Sequence, residues 1–220
     1  MRLDQVRLGP VARQAAKPHF HGMEHAKNLY SHATGFVRLT TLAFLAAALL
    51  FTQQARAEPL GEAIAKIDGD VLFLRHALAP GFGDPSDFNV DDCATQRNLN
   101  DVGRAQARAI GAYMKANRIA PDVILSSRWC RCRDTAQEMD IGPFMTHDGL
   151  NSFFDGHVDR DVTLAALRQR MTEIETGSLV LMVTHQVVIT AITGIAPQSG
   201  GMVVYNSRTG ERVSVPPPAK

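Results

Sequence analysis

The sequence predicts an α/β fold: a three-layer sandwich with a mostly parallel central sheet and helices on both faces. Three observations predict it. Short continuous apolar runs stand at 71–76 (VLFLRH), 122–127 (DVILSS) and 179–185 (LVLMVTH). They lack the apolar–polar alternation of a strand with one wet face, so they read as strands buried on both sides. Amphipathic segments lie between them, and alternation of strand and helix is the pattern of a layered parallel sheet.

The elements follow in order. The run at 71–76 is the first strand. A loop rich in Gly, Pro and Asp occupies 79–98. From Asp101 to Asn117, apolar residues recur at 102, 105, 109, 110 and 113, which predicts a helix capped by Asn100 or Asp101. Pro121 opens the second strand, and a helix runs from near Trp129 to about Met139. The stretch 140–160 has no strong period and reads as a loop with small turns. An amphipathic helix at 162–175, the third strand and a helix at 186–194 come next. MVVYN and ERVSV, at 202–206 and 211–215, bracket a Gly-containing turn and predict a terminal hairpin. PPPAK is a tail.

The N-terminal part is different. LTTLAFLAAALLF at 39–51 follows Arg38 and precedes Ala55–Arg56–Ala57, then Glu58 and Pro59. A basic residue, an apolar run too short for a typical span and a small-x-small end predict a secretory signal peptide over 34–57, cut after Ala57. Residues 1–33 read as a poorly structured extension or a mis-assigned start, and 58–220 as the functional domain. Export predicts a bacterial periplasmic or secreted protein with no stable membrane span after cleavage. Such a compartment permits disulfides. The mature part holds Cys93, Cys130 and Cys132, so it forms at most one internal bridge, from Cys93 to Cys130 or to Cys132. Cys-Arg-Cys has no second cysteine pair, so no metal is expected. Residues 1–57 carry seven basic and two acidic residues, and residues 58–220 sixteen and twenty. A domain with a net charge of −4 is no obvious nucleic-acid binder, so phosphate chemistry there needs locally gathered arginines.

Such a gathering is visible. The three strand ends carry Arg75–His76, Ser126–Arg131 and His185. Open α/β sheets bind ligands beyond the C-terminal ends of their strands. Arginines grip phosphate through charge-assisted, bidentate hydrogen bonds. One imidazole can attack phosphorus, and a second can stabilise the charge that develops. No G-x-G-x-x-G follows the first strand, which argues against a dinucleotide cofactor.

On these residues the chain resembles the histidine phosphatase superfamily, also called phosphoglycerate-mutase-like, in its short exported members. LRHA at 74–77 corresponds to the R-H-G signature, with Ala77 in the glycine place. LNDVGRAQA at 99–107 fits L-x-x-x-G-x-x-Q-A, SSRWCRCRDTA at 126–136 fits S-x-x-x-x-R-x-x-x-T-A, and THQ at 184–186 matches the second histidine. The resemblance spans roughly 70–215. It implies that His76 is the phosphate-accepting nucleophile and that Arg75, Arg131 and His185 complete the phosphate pocket, with no cofactor. Arg128 and Arg133 fall outside the arginine position, Gln106 reads as a packing or capping residue, and Gly103 allows close approach of its helix.

The chain departs from the family at the proton donor. Residues 147–159, HDGLNSFFDGHVD, contain no Glu, and Gln186 follows the second histidine. The candidates are Asp155, which is favoured, then Asp148, Asp159, His157 and the loop residues Asp84, Asp87, Asp91 and Asp92. Trp129, Phe82, Phe88, Phe153 and Phe154 could wall the substrate. The resemblance implies phosphomonoester hydrolysis on a small phosphorylated molecule, a sugar phosphate or an envelope glycan phosphate. A non-catalytic phosphate-binding protein and a phosphatase of phosphohistidine proteins are the alternatives.

Overall fold

The computed structural model describes residues 59–218. The expected signal peptide at 34–57 and the extension at 1–33 lie outside the described residues. No helix among the described residues is long and apolar enough to cross a membrane.

The fold class is the one the sequence predicts. Helix α1 (Leu60–Ile67) precedes strand β1 (Val71–Arg75); α2 (Asp101–Ala116), β2 (Val123–Ser126), α3 (Cys130–Met139) and β3 (Met145–Thr146) follow. Then come α4 (Arg160–Thr172), β4 (Val180–Thr184), α5 (Gln186–Thr193), β5 (Met202–Tyr205) and β6 (Arg212–Val215). The six strands form one sheet in the order β3-β2-β4-β1-β5-β6. The pairs β2–β3, β2–β4 and β1–β4 are parallel, while β1–β5 and β5–β6 are antiparallel. The expected hairpin is thus present, and it extends the sheet past β1.

The continuous apolar runs are buried on both faces because alternate side chains enter different layers. Leu72, Leu74, Leu181 and Val183 pack in one core with Leu60, Ile110 and Met139 of α1, α2 and α3. Val71, Phe73, Val180 and Met182 pack in the other with Leu167 and Met171 of α4 and Val188 and Ile189 of α5.

Local chemistry explains where the elements depart from expectation. Helix α1 was not expected. Its Leu60, Ala63 and Ile67 are buried at helical spacing, and the chain leaves it at Asp68 with φ +48°. Helix α4 starts at Arg160, ahead of its first apolar periodicity, because the Asp159 carboxylate caps it by accepting the Val162 N–H. The stretch 140–160 is not wholly loop: it holds β3 and a 3₁₀ turn at Asp148–Leu150. Both β3 residues are exposed at the sheet edge, so no apolar run announced them.

Parallel pairing aligns the strand ends that matter. Arg75 stands beside Thr184, and Ser126 beside Val183. His76, Ser127 and His185, each one residue further, therefore leave the sheet at one rim. The loop after β1 is tied to that rim by a disulfide between Cys93 and Cys130, the first residue of α3. Of the two bridges expected, this one forms, and Cys132 is free and buried.

Candidate active site

The rim opens into a pocket of about 390 Å³ whose lining includes Arg75, His76, Arg97, Arg131, His185 and Gln186. His76 is 3% exposed. Its backbone N–H donates to the Thr184 carbonyl, which continues the sheet ladder one residue past β1. Its ring Nδ1 lies 2.8 Å from the Ala77 carbonyl oxygen. A carbonyl only accepts, so Nδ1 carries the proton and the Nε2 lone pair is left for chemistry. Burial first, then the Arg131 charge, pushes His76 down to about 3, against a smaller opposing effect of the Ala77 carbonyl. The ring is therefore neutral across the physiological range.

His185 occupies the position just ahead of α5, without a side-chain capping bond, and is also 3% exposed. Its Nε2 lies 2.9 Å from Ser127 Oγ and 3.5 Å from Cys132 Sγ. Burial, then the Arg131 charge and the neighbouring His76, hold it well below its ordinary value. The two imidazole rings are 5.5 Å apart and nearly edge-to-face. Placing His185, Gln186 and Val187 at a helix start aims the positive end of the helix dipole at the pocket.

The arginines are held by the frame. Arg131 makes two parallel hydrogen bonds to Asp84, at 2.7 and 3.1 Å. The Nη1 of Arg75 donates to Gln186 Oε1 and to the Pro197 carbonyl, at 2.7 and 2.9 Å. The Nε–H groups of both arginines are buried and find no partner among the described residues. A buried donor left without an acceptor costs about 1–3 kcal/mol, and a phosphate oxygen is the acceptor that suits a guanidinium.

The motif spacings acquire physical content here. Thr135 is fully buried; its Oγ1 accepts the Ala77 N–H at 3.0 Å and donates to the Arg131 carbonyl at 2.6 Å. One hydroxyl thus couples the loop after His76 to the turn bearing Arg131. Gly103 permits contact of α2 with the Leu78 backbone, where a Cβ would collide with the Leu78 carbonyl. Gln106 braces two loops, accepting from Leu78 N–H and donating to the Ser199 carbonyl.

Residues 71–157 match the family model described as the histidine phosphatase superfamily (branch 1). That stretch, which carries His76 and Arg131, is similar to the histidine phosphatase superfamily. Among solved structures, a candidate phosphohistidine phosphatase, SixA, from Agrobacterium tumefaciens is 24% identical over 66% of this chain and 94% of that chain, with a TM-score of 0.46. The product of the open reading frame Rv3214 from Mycobacterium tuberculosis is 16% identical over 66% and 94%, with a TM-score of 0.49. The mycobacterial glucosyl-3-phosphoglycerate phosphatase Rv2419c is 16% identical over 68% and 98%, with a TM-score of 0.44. No curated protein sequence matches the chain.

Within this site, His76, Arg75, Arg131 and His185 line one pocket, and Asp155 lines it too. The other carboxylates lie elsewhere. Asp84 is bound to Arg131, Asp91 pairs with Arg128, Asp92 and Asp159 cap helical turns, and Asp148 accepts from Asn151. Neither Arg128 nor Arg133 is among the residues that line this pocket; both line a separate surface depression. Of the expected aromatic wall, Phe82 and Phe154 line the pocket. Trp129 is instead buried, with its indole N–H on Asp84; Phe88 stacks between Trp129 and His157, and Phe153 packs on the second core.

Arg97 is the lining residue that the sequence reading missed. It follows the Gly/Pro loop, with its Nε–H donating to the Gly83 carbonyl and a terminal nitrogen to the Ala79 carbonyl. The one available signal was a basic residue just ahead of the Asn100 cap. Asp84, Asp155 and His157 bring possible metal-ligand atoms within 4.8 Å of one another. Both Asp84 oxygens already accept from Arg131, and they also accept the Arg97 N–H and the Trp129 indole N–H. That set offers a cation no uncommitted Asp84 oxygen.

Proposed function

We propose that this protein hydrolyses phosphomonoesters through a phosphohistidine on His76. The observation that carries the reading is the pair of buried Nε–H groups of Arg75 and Arg131, without a partner among the described residues, beside a neutral imidazole whose Nε2 lone pair is free. The Nε2 lone pair attacks phosphorus while the bond from phosphorus to the ester oxygen breaks. Arg75 and Arg131 neutralise the equatorial oxygens, and the neutral His185 lines the pocket beside them. Asp155, the carboxylate lining the pocket, gives a proton to the departing oxygen and then takes one from the water that hydrolyses the phosphohistidine. Export, read from residues 34–57, would bring the enzyme to sugar phosphates or envelope-linked phosphates in the periplasm or outside the cell.

The test is hydrolysis of para-nitrophenyl phosphate by the full chain beside His76→Ala, across pH 4–8. The expected result is activity in the first protein and none in the second. Activity unchanged by the substitution would overturn the mechanism.

A further inference from the structure

Six large hydrophobic residues are exposed among the described residues, and three of them, Leu78, Phe82 and Phe154, line the pocket that holds His76. Phe82 is 88% exposed and Phe154 47%. Their rings meet at 88°, with centroids 5.0 Å apart. Phe82 stands between Gly81 and Gly83, at φ +94° and +67°, a backbone region that glycine enters freely and other residues rarely do. Two flanking residues without side chains leave Phe82 with no neighbour in the loop to pack against. A large exposed apolar side chain at a pocket is a binding surface more often than a core residue out of place.

The pocket therefore has two chemically distinct zones. Its floor is cationic, with Arg75, Arg97 and Arg131 about the two histidines. Its mouth is aromatic. We propose that Phe82 and Phe154 form a leaving-group subsite that selects phosphomonoesters carrying a ring with a flat apolar face. The phosphate sits on the arginines and the ring stacks on, or edges against, the phenylalanine pair. An open-chain leaving group such as glycerol offers no such face. An aryl ring and the C–H face of a sugar both do. A pocket of about 390 Å³ is on the scale of a small molecule. The proposal rests on reading the floor as the phosphate site.

The experiment is titration calorimetry of the full chain with methylphosphonate, phenylphosphonate and cyclohexylphosphonate, which bind without being hydrolysed. At least one ring phosphonate should bind about tenfold more tightly than methylphosphonate. The advantage should fall toward unity in Phe82→Ala and in Phe154→Ala, with methylphosphonate affinity unchanged in both. Preference for phenyl identifies an aryl leaving group, and preference for cyclohexyl a saturated ring such as a sugar. Equal affinities in the unaltered protein, a ring advantage that survives both substitutions, or no binding of any phosphonate overturns the subsite. Ring preference in a protein that fails to hydrolyse para-nitrophenyl phosphate would keep the subsite and remove the catalytic reading.

Discussion

Arg131, in the wall of the pocket, forms a bidentate ion pair with Asp84 behind it, 2.7 Å from Nη1 to Oδ1, with side chains 3% and 1% exposed. The pair fixes the orientation of a guanidinium that would otherwise have many rotamers, and leaves its Nε edge without a partner among the described residues. Burial alone pushes the Asp84 carboxyl up, but the hydrogen bonds and charge of Arg131 outweigh this and hold it below the usual carboxylate range. Asp84 is thereby a structural anion.

Removing Asp84 should therefore cost stability more than a surface carboxylate would. Asp84→Ala leaves Arg131 buried and uncompensated, and the Arg97 and Trp129 N–H groups without acceptors. Breaking a buried pair by deleting one partner typically costs about 3–5 kcal/mol. Urea denaturation should show a loss of that order, with Asp84→Asn milder. A loss below about 1 kcal/mol would mean that the pair is not the brace described here.

Acid should destabilise the protein before any carboxylate titrates. His76 is lowered to about 3 by burial and then by Arg131, and His185 is lowered well below its ordinary value by the same causes. Below the unfolded value of about 6.5 the unfolded chain binds protons that the folded chain refuses, so stability falls as pH falls. Each histidine contributes a slope approaching about 1.4 kcal/mol per pH unit below pH 6. The sign for Asp84 differs in window: its contribution is present above the unfolded carboxyl value and is lost as pH falls through its lower folded value, so it adds no slope between pH 5 and 7. Denaturation at pH 7 and pH 5 should show the loss, and His76→Ala should make it shallower. Stability equal at the two pH values would contradict a buried neutral pair.

The three parallel strands were legible because burial on both faces leaves a signature that one sequence can show, a continuous apolar run. Their ends delivered His76 and His185 for the same reason. Arg97 and Asp84 were hidden because they sit in a loop without period, where only three-dimensional closure gives them partners. Asp84 looked like one of several loop carboxylates until Arg131 was seen to hold both of its oxygens. Edge strand β3 was hidden by its length and exposure. Helix α1 has only three buried positions, next to a segment that reads as a cleavage site.

Thiol counting should separate the three cysteines. Cys93 and Cys130 are bridged. Cys132 is fully buried, and burial pushes its thiol up to about 12, against a smaller opposing effect of Arg131. The folded, unreduced protein should show no thiol reactive toward Ellman's reagent. It should show one per chain on denaturation and three after reduction. Cys93→Ser should lower stability by about 2–4 kcal/mol, since the bridge closes a long loop over the site. Three thiols in the denatured, unreduced protein would mean that the bridge does not form.

Asp155 supplies the sharpest test of the chemistry, because what its loss does depends on the leaving group. Its carboxylate accepts the Asp84 backbone N–H at 3.1 Å, and Asp155→Asn keeps an oxygen for that bond. The substitution thus removes the transferable proton while keeping the loop contact. A para-nitrophenolate departs readily without a proton, whereas a sugar alkoxide needs one. General acid catalysis is worth about 10²–10⁴-fold. Asp155→Asn should therefore lower kcat/KM on glucose 6-phosphate by that factor and change it little on para-nitrophenyl phosphate. Equal losses on both substrates would assign Asp155 to binding. No loss on either would remove Asp155 from the proton's path, leaving His157, stacked on Phe88 in the same loop, as a candidate to test next.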